Sequence, residues 1–339
     1  MRYIIGKDGL KLLKLKSQEA APVLASDKII TNEVLHFITV DLATAVLTNE
    51  QVEKLKSANI FCEEEKLNKA GLLIDRAYEK GRTGWFRAKQ RKANIVDVVD
   101  IAVMGTGSNL TYYAGYNFVS NSTDVTDDFS GGHDTGTHAI IQSTQVGLLQ
   151  GARIHVLKMI DYRGFFFTSS AIAAYDYCLT NNIKYINNSF GGNIPNHQEV
   201  VYTLAGNNCM IVASAGNSFV ENNLLIPAAL LKVTAVSSIS ADGLPYHKNW
   251  LPLYENKGID FLYGGRNSEW LTSGLVVAAS SGTSLSAPGG LAMLAIDRSM
   301  LMKIDPVKWN NVFTCMEYTK GNCSPVNPID KTGAGTFNI

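Results

Sequence analysis

The sequence predicts an α/β protein: a parallel sheet with helices on both faces, preceded by a small α+β unit. Beyond Asn94, short apolar runs of strand length alternate with segments of helical spacing or length, the pattern of strands buried on both faces and joined by crossover helices. Residues 1 to about 70 instead read strand, helix, strand, strand-like turn, helix, strand, which suggests a split βαβ unit. With 339 residues, 46% hydrophobic and 18% charged, the chain has apolar surface enough for one large domain and a small one.

Taken in order, Arg2 to Gly6 and Leu35 to Val40 are strand-like, and an amphipathic stretch begins at Leu10. Thr48 is the expected N-cap of a helix containing Glu50, Val52, Leu55 and Ala58, and Ile60 to Glu64 closes the unit. From Arg76 to Lys92, seven basic residues face the single acid Glu79, in a stretch broken by Gly81 and Gly84. That composition reads as a solvated linker, with a basic arm gripping an acidic partner as the second reading. The strand candidates that follow are Val99 to Met104, Ile154 to Ile160, Lys184 to Asn188, Met210 to Ala213 and Val233 to Ser237. Helical segments are expected from Thr137, Thr168, Asn196 and Ser284. The expected division is residues 1–70, a linker over 71–95, and a large domain over 96–339. In such a sheet, ligands sit at the carboxyl ends of the strands.

Composition also narrows the function. Thirty basic residues balance thirty acidic ones, so nothing in the charge favours nucleic acid as a partner. The apolar run from Ile95 to Met104 is interrupted by Asp97 and Asp100 and falls short of the ~20 residues of a membrane span. Charges interrupt the N-terminal apolar residues too soon for a secretory leader, so the expectation is a cytoplasmic protein or part of an intracellularly made assembly. Cys62, Cys178, Cys209, Cys315 and Cys323 are too scattered for a disulfide framework or a zinc knuckle. Buried free thiols are expected, with a Cys315–Cys323 pair as the alternative in an oxidising compartment.

The sharpest local signal is Ser281-Gly282-Thr283-Ser284-Leu285-Ser286-Ala287-Pro288, followed by the apolar segment from Gly290 to Met302. It places a serine at a helix N-terminus, where the dipole favours negative charge. The segment closely resembles the nucleophile motif of the subtilases, the subtilisin-like serine proteases. Val212-Ala213-Ser214-Ala215-Gly216-Asn217 resembles the strand and loop that present the family's oxyanion-hole asparagine, which implies that role for Asn217. Ile186 to Gly192, containing Ser189, Phe190, Gly191 and Gly192, resembles a substrate-cradling strand, and Gly164 to Phe167 resembles a second one. Residues 1 to 70 resemble the inhibitory propeptide that precedes subtilases. The implied fold is subtilisin-like, with a ferredoxin-like propeptide unit in front.

The same resemblance exposes two departures. Where the family's strand ends in an aspartate followed by Thr or Ser and Gly, this chain reads Met104-Gly105-Thr106-Gly107, with Gly105 at the acid's position. Where the family has histidine directly before Gly-Thr-His, it reads His133-Asp134-Thr135-Gly136-Thr137-His138, with Thr135 at the base's position. A serine hydroxyl at neutral pH needs a base to take its proton, and the aspartate orients that base. Glycine and threonine can do neither job. Alternatively, a two-residue insertion places His133 in the histidine position, with Asp100, Asp134 or another acid as its substitute carboxylate. His138 reads as a structural histidine, and packing is the default for His36, His155, His197 and His247.

Two further features concern binding. The segment from His138 to Gly147 is shorter than in typical subtilisins, where a loop at this place binds calcium, so no metal is implied and no cofactor. Phe165, Phe166 and Phe167 stand where small residues are common; they either line a deep apolar subsite or fill the groove, and filling is the expectation. The leading reading is an unprocessed, inactive pseudoprotease that binds a peptide or protein segment, its own linker included, or serves in a larger assembly. The alternative is a serine endopeptidase acting through Ser284 with His133 as a displaced base.

Overall fold

The computed structural model describes residues 1–15, 18–19, 35–36, 42–65, 67–69, 99–192, 197–218, 224–239, 245–246, 258–265 and 268–323. The linker stretch, His247 and residues 37–40 lie outside these.

The N-terminal unit begins with β1 (Arg2–Gly6) and α1 (Asp8–Leu13), followed by β2 (Gln18–Glu19), β3 (Leu35–His36) and β4 (Leu42–Val46). Helix α2 (Asn49–Ser57) and β5 (Cys62–Glu64) complete a sheet of order β2-β3-β4-β1-β5, in which β1 is antiparallel to both neighbours. Thr48 caps α2 as the sequence predicts: its hydroxyl accepts from Gln51 N at 3.3 Å, and the Gln51 side chain accepts from Thr48 N at 2.9 Å. Strand alternation then gives the sheet two apolar faces. Ile5, Ala43 and Ala45 pack against Leu10, Val52 and Leu55 of the unit's own helices. Ile4 and Leu42 point the other way, into the core of the large domain.

That domain is built on β7 (Asp100–Gly105), β8 (Ala114–Asn117), β9 (Arg153–Lys158), β11 (Tyr185–Asn188), β12 (Met210–Ser214), β13 (Val233–Ile239) and β15 (Phe261–Gly264). All seven run parallel, in the order β13-β12-β11-β7-β9-β8 with β15 also on β13; β14 (Pro245–Tyr246) joins β13 antiparallel. Helices α4 (Thr168–Thr180) and α5 (His197–Gly206) cover one face, where Ile172, Tyr175, Val200 and Leu204 share a core with Ile186 and Ile211. Helix α3 (His133–Gln142), the long α6 (Thr283–Ile304) and α7 (Val312–Gly321) cover the other, meeting Ile101, Val103 and Val212. A hairpin of β16 (Ser268–Leu271) and β17 (Val277–Ser280) lies beside α3. The five strands predicted by apolar runs are present, each within two residues of its expected start.

One helix start differs. Helix α3 begins at His133, before the expected Thr137, and no local residue caps it. Gly132 turns the chain at φ 71°, and the orphan first-turn N–H groups are met by side chains from distant sequence: Asp134 N donates to Thr106 Oγ1 at 3.2 Å and Thr135 N to Asp127 Oδ2 at 2.8 Å. A cap supplied this way leaves no mark within the helix's own sequence.

Two contacts tie the N-terminal unit down. Strand β6 (Leu67–Lys69) pairs antiparallel with β10 (Phe165–Phe167), Lys69 opposite Phe165 and Leu67 opposite Phe167. Just before β6, Glu65 takes Ser169 N of the first turn of α4 at 3.2 Å, while its other oxygen lies 3.0 Å from Arg2 Nε. Its side chain is 4% exposed. Glu65→Ala removes an acceptor for a helix N-terminus and the carboxylate beside a largely buried guanidinium, which keeps the Thr44 hydroxyl, so a loss of roughly 1–3 kcal/mol is expected. Chemical denaturation of the full chain checks this; an unchanged midpoint would mean the two units are not coupled through Glu65.

Candidate active site

The site lies where β7, β11 and β12 end, at the carboxyl edge of the sheet. Ser284 sits in the first turn of α6, whose leading N–H groups have no intrahelical acceptor. Its hydroxyl donates to Ser189 O at 3.0 Å, just beyond β11, and Ser189 Oγ donates back to Ser284 O at 2.9 Å. The free carbonyl has a cause in the sequence: Pro288, four residues on, has no N–H to give it. Asn187 Nδ2 in turn donates to Ser189 Oγ at 3.1 Å.

Asn217 follows β12. Its Oδ1 accepts from both Thr283 N and Thr283 Oγ1, each at 2.8 Å, and Thr283 Oγ1 accepts from Gly216 N at 3.0 Å. These bonds fix the plane of the amide and commit its oxygen to α6, so the donor end is directed away from Thr283.

His133 and Asp134 open α3, both 1% exposed. His133 Nδ1 lies 3.0 Å from Asp134 Oδ1, and Nε2 is buried with no hydrogen-bond partner among the described residues. Asp134 Oδ2 also accepts from Thr106 N, and Oδ1 from Thr137 Oγ1 at 3.1 Å. Thr135 turns elsewhere, donating from its hydroxyl to Asp127 Oδ2 at 2.9 Å. Asp127 is a site neighbour that sequence reasoning missed; burial and the nearby Asp134 carboxylate push its pKa up. The loop after β7 is braced from beneath by Lys158, whose buried ammonium donates to Thr106 O at 2.6 Å and Thr126 O at 3.0 Å and pairs with Asp128.

His138 is satisfied on both sides, with Nδ1 2.8 Å from Ser108 Oγ and Nε2 2.8 Å from Gln142 Oε1. Burial lowers its pKa to about 4. Asp100, the other acid weighed for His133, starts β7 at the opposite edge, where it holds Arg153 and His155. His36 lies in β3 and His197 opens α5.

The aromatic triplet divides as an alternating strand does. Phe166 is buried and packs edge-on against Phe190 with ring centroids 5.6 Å apart, Phe165 is half-buried, and Phe167 is 36% exposed. Gly164 makes the preceding turn at φ 84°, and Gly192 pairs with Ile226 at 3.0 and 3.1 Å. The five cysteines are unpaired thiols; Cys315 donates to Trp309 O at 3.1 Å and Cys323 to Thr319 O at 3.2 Å. Among the described residues no three His, Cys, Asp or Glu side chains converge as metal ligands would, and no helix is long and apolar enough to cross a membrane.

A serine at a helix N-terminus and an imidazole held by a carboxylate, on one edge of a parallel sheet, are the parts from which serine hydrolases are built. The profile of the subtilase family matches residues 91–322, and the chain belongs to that family. An extracellular serine proteinase of Thermus sp. (strain Rt41A) is 26% identical over 198 residues, which cover 56% of this chain and 47% of that protein. Subtilisin-like protease 5 of Arthroderma otae (strain ATCC MYA-4605 / CBS 113480) is 27% identical over 187 residues, 52% of this chain and 46% of that protein. The chain thus spans about half the length of these curated relatives.

Two predictions follow from the hydrogen bonding. Ser189→Ala leaves the Ser284 carbonyl buried without a donor and should cost about 1–3 kcal/mol in urea unfolding; no change would show that the bond contributes nothing net. For His138, the unfolded chain takes a proton near pH 6.5 and the folded chain only near 4, so stability is complete above 6.5 and drains away as pH falls through that window. The loss is on the order of 3 kcal/mol. Denaturation midpoints at pH 7 and 4.5 should diverge more in the native chain than in His138→Gln.

Proposed function

We propose that the protein is a serine endopeptidase of the subtilase family, held latent by its own N-terminal unit. The observation that carries this is the His133 imidazole: one nitrogen lies against a carboxylate, and the other is buried with no hydrogen-bond partner among the described residues. A buried polar atom ordinarily finds a partner, and an imidazole with one nitrogen on a carboxylate and the other unbonded is the arrangement a general base uses.

In this reading the Ser284 hydroxyl leaves the Ser189 carbonyl and passes its proton to His133 Nε2 as Oγ attacks the scissile carbonyl. The oxyanion is met by the amide donor of Asn217 and the first-turn N–H of Ser284. His133 then returns the proton to the departing amine, and water hydrolyses the acyl-enzyme by the same steps. Ser189–Gly192 and Gly164–Phe167 serve as the substrate-cradling strands. The pairing of β6 with β10 supports latency, since a strand already added to that edge excludes a substrate backbone from it. The division into residues 1–70, 71–95 and 96–339 goes with this reading. The unpaired thiols favour a reducing compartment, hence the cytoplasm, although one relative is named as extracellular.

The Ser284–Ser189 bond favours a second reading, an inactive pseudoprotease whose groove binds its own chain or a partner within a larger assembly, because that hydroxyl is committed to a carbonyl rather than to a base. A fluorophosphonate probe separates the two. Labelling of the purified chain that is abolished by Ser284→Ala, and quickened by Glu65→Ala, supports the latent endopeptidase. A chain that resists the probe even after removal of the N-terminal unit by limited proteolysis is the pseudoprotease.

A further inference from the structure

Gly105 ends β7 with no side chain, yet the space its side chain would fill is occupied. A Cβ built on Gly105 falls 1.7 Å from Asp134 Oδ2, 2.6 Å from its Cγ and 3.1 Å from Oδ1. The Asp134 carboxylate therefore stands where an acidic side chain on the strand end would carry its own, and it is held there by Thr106 N, Thr137 Oγ1 and His133 Nδ1.

The geometry points to Asp134 as the residue that positions His133: the acid has moved from the strand end to the first turn of the facing helix, and residue 105 is glycine because the two cannot share one volume. This rests on the reading of His133 as base. The alternatives fail on placement. Asp100 is at the far end of β7 and bound to Arg153 and His155, and Asp127 is bound to the backbone and hydroxyl of Thr135. Asp134 acts through the imidazole. It fixes Nδ1 as the protonated nitrogen, leaves Nε2 free to accept, and stabilises the imidazolium once formed.

The exchange can be reversed. Asp134→Asn should slow fluorophosphonate labelling of Ser284 by about 10⁴-fold, the loss that an Asp to Asn change causes in a well-studied serine protease. Gly105→Asp alone places a second carboxylate against the first and should also abolish labelling. The double variant Gly105→Asp/Asp134→Gly puts one carboxylate back in the same space and should recover to within about tenfold of the native rate, with the native pH dependence. A low-field proton resonance from His133 Nδ1–H should be present in the native chain, absent in Asp134→Asn and present again in the double variant.

Native labelling rates in Asp134→Asn, with Ser284→Ala inert, would overturn Asp134 while leaving the endopeptidase intact. If the chain resists the probe even after removal of the N-terminal unit, the endopeptidase reading falls, and the resonance decides the positioning alone: lost in Asp134→Asn and regained in the double variant it stands, otherwise it is overturned.

Discussion

Between the end of β7 and the first turn of α3 there is room for one carboxylate. A side chain on residue 105 would overlap Asp134, so the two positions form one unit: an acid on the helix requires its absence from the strand. Much of the local structure serves that carboxylate. Thr106 donates its N–H to Asp134 and accepts the Asp134 N–H on its hydroxyl, so strand end and helix start are tied in both directions. Lys158 takes the carbonyl of Thr106 at the strand end and that of Thr126 in the segment before α3, which ties the two stretches of backbone together.

The N-terminal unit solves a different problem. Strand β10 is a short edge beside the site, and an uncovered edge is a template for pairing with any extended chain. Here β6 covers it, and the preceding Glu65 places a negative charge on the positive end of α4. The contact extends from that edge to the helical face through Ile4 and Leu42, which lie in the large domain's core. A single sheet, apolar on both faces, thereby closes its own small core and completes part of a larger one.

The fold was legible wherever burial alone dictates residue type. The parallel strands are apolar runs because both faces are covered, and Thr48 announces α2 because its capping box lies wholly within four consecutive residues. Elements that depend on distant partners were not legible. Strand β4, Leu42–Val46, is largely small residues without strong alternation and has no counterpart among the strands expected from the sequence. Strand β8 and the β16–β17 hairpin have no counterpart among the expected elements, and α3 starts four residues before the expected Thr137 because its caps come from Thr106 and Asp127. Alignment by motif puts Thr135 at the base's position; in the structure its hydroxyl donates to Asp127. That Asp134 could stand in for the missing acid was one option among several, since adjacency in sequence says nothing about which strand end a side chain reaches.

Two buried histidines on α3 show how differently one residue type can be used. His138 has an acceptor or donor on each nitrogen, and burial holds it neutral down to about pH 4; every feature of its surroundings removes it from proton traffic. His133 is as deeply enclosed, but among the described residues it is satisfied on one side only. An unmet buried nitrogen costs roughly 1–3 kcal/mol, and a helix start that needed an imidazole only for packing could exchange it for an apolar side chain and recover that energy. The asymmetry is what an acid–base residue requires: one nitrogen anchored so that the ring cannot turn, and the other left without a bond so that a proton can arrive. In the proposed arrangement a carboxylate from the helix rather than the strand keeps that asymmetry, because it meets His133 Nδ1 from the volume a side chain on residue 105 would fill.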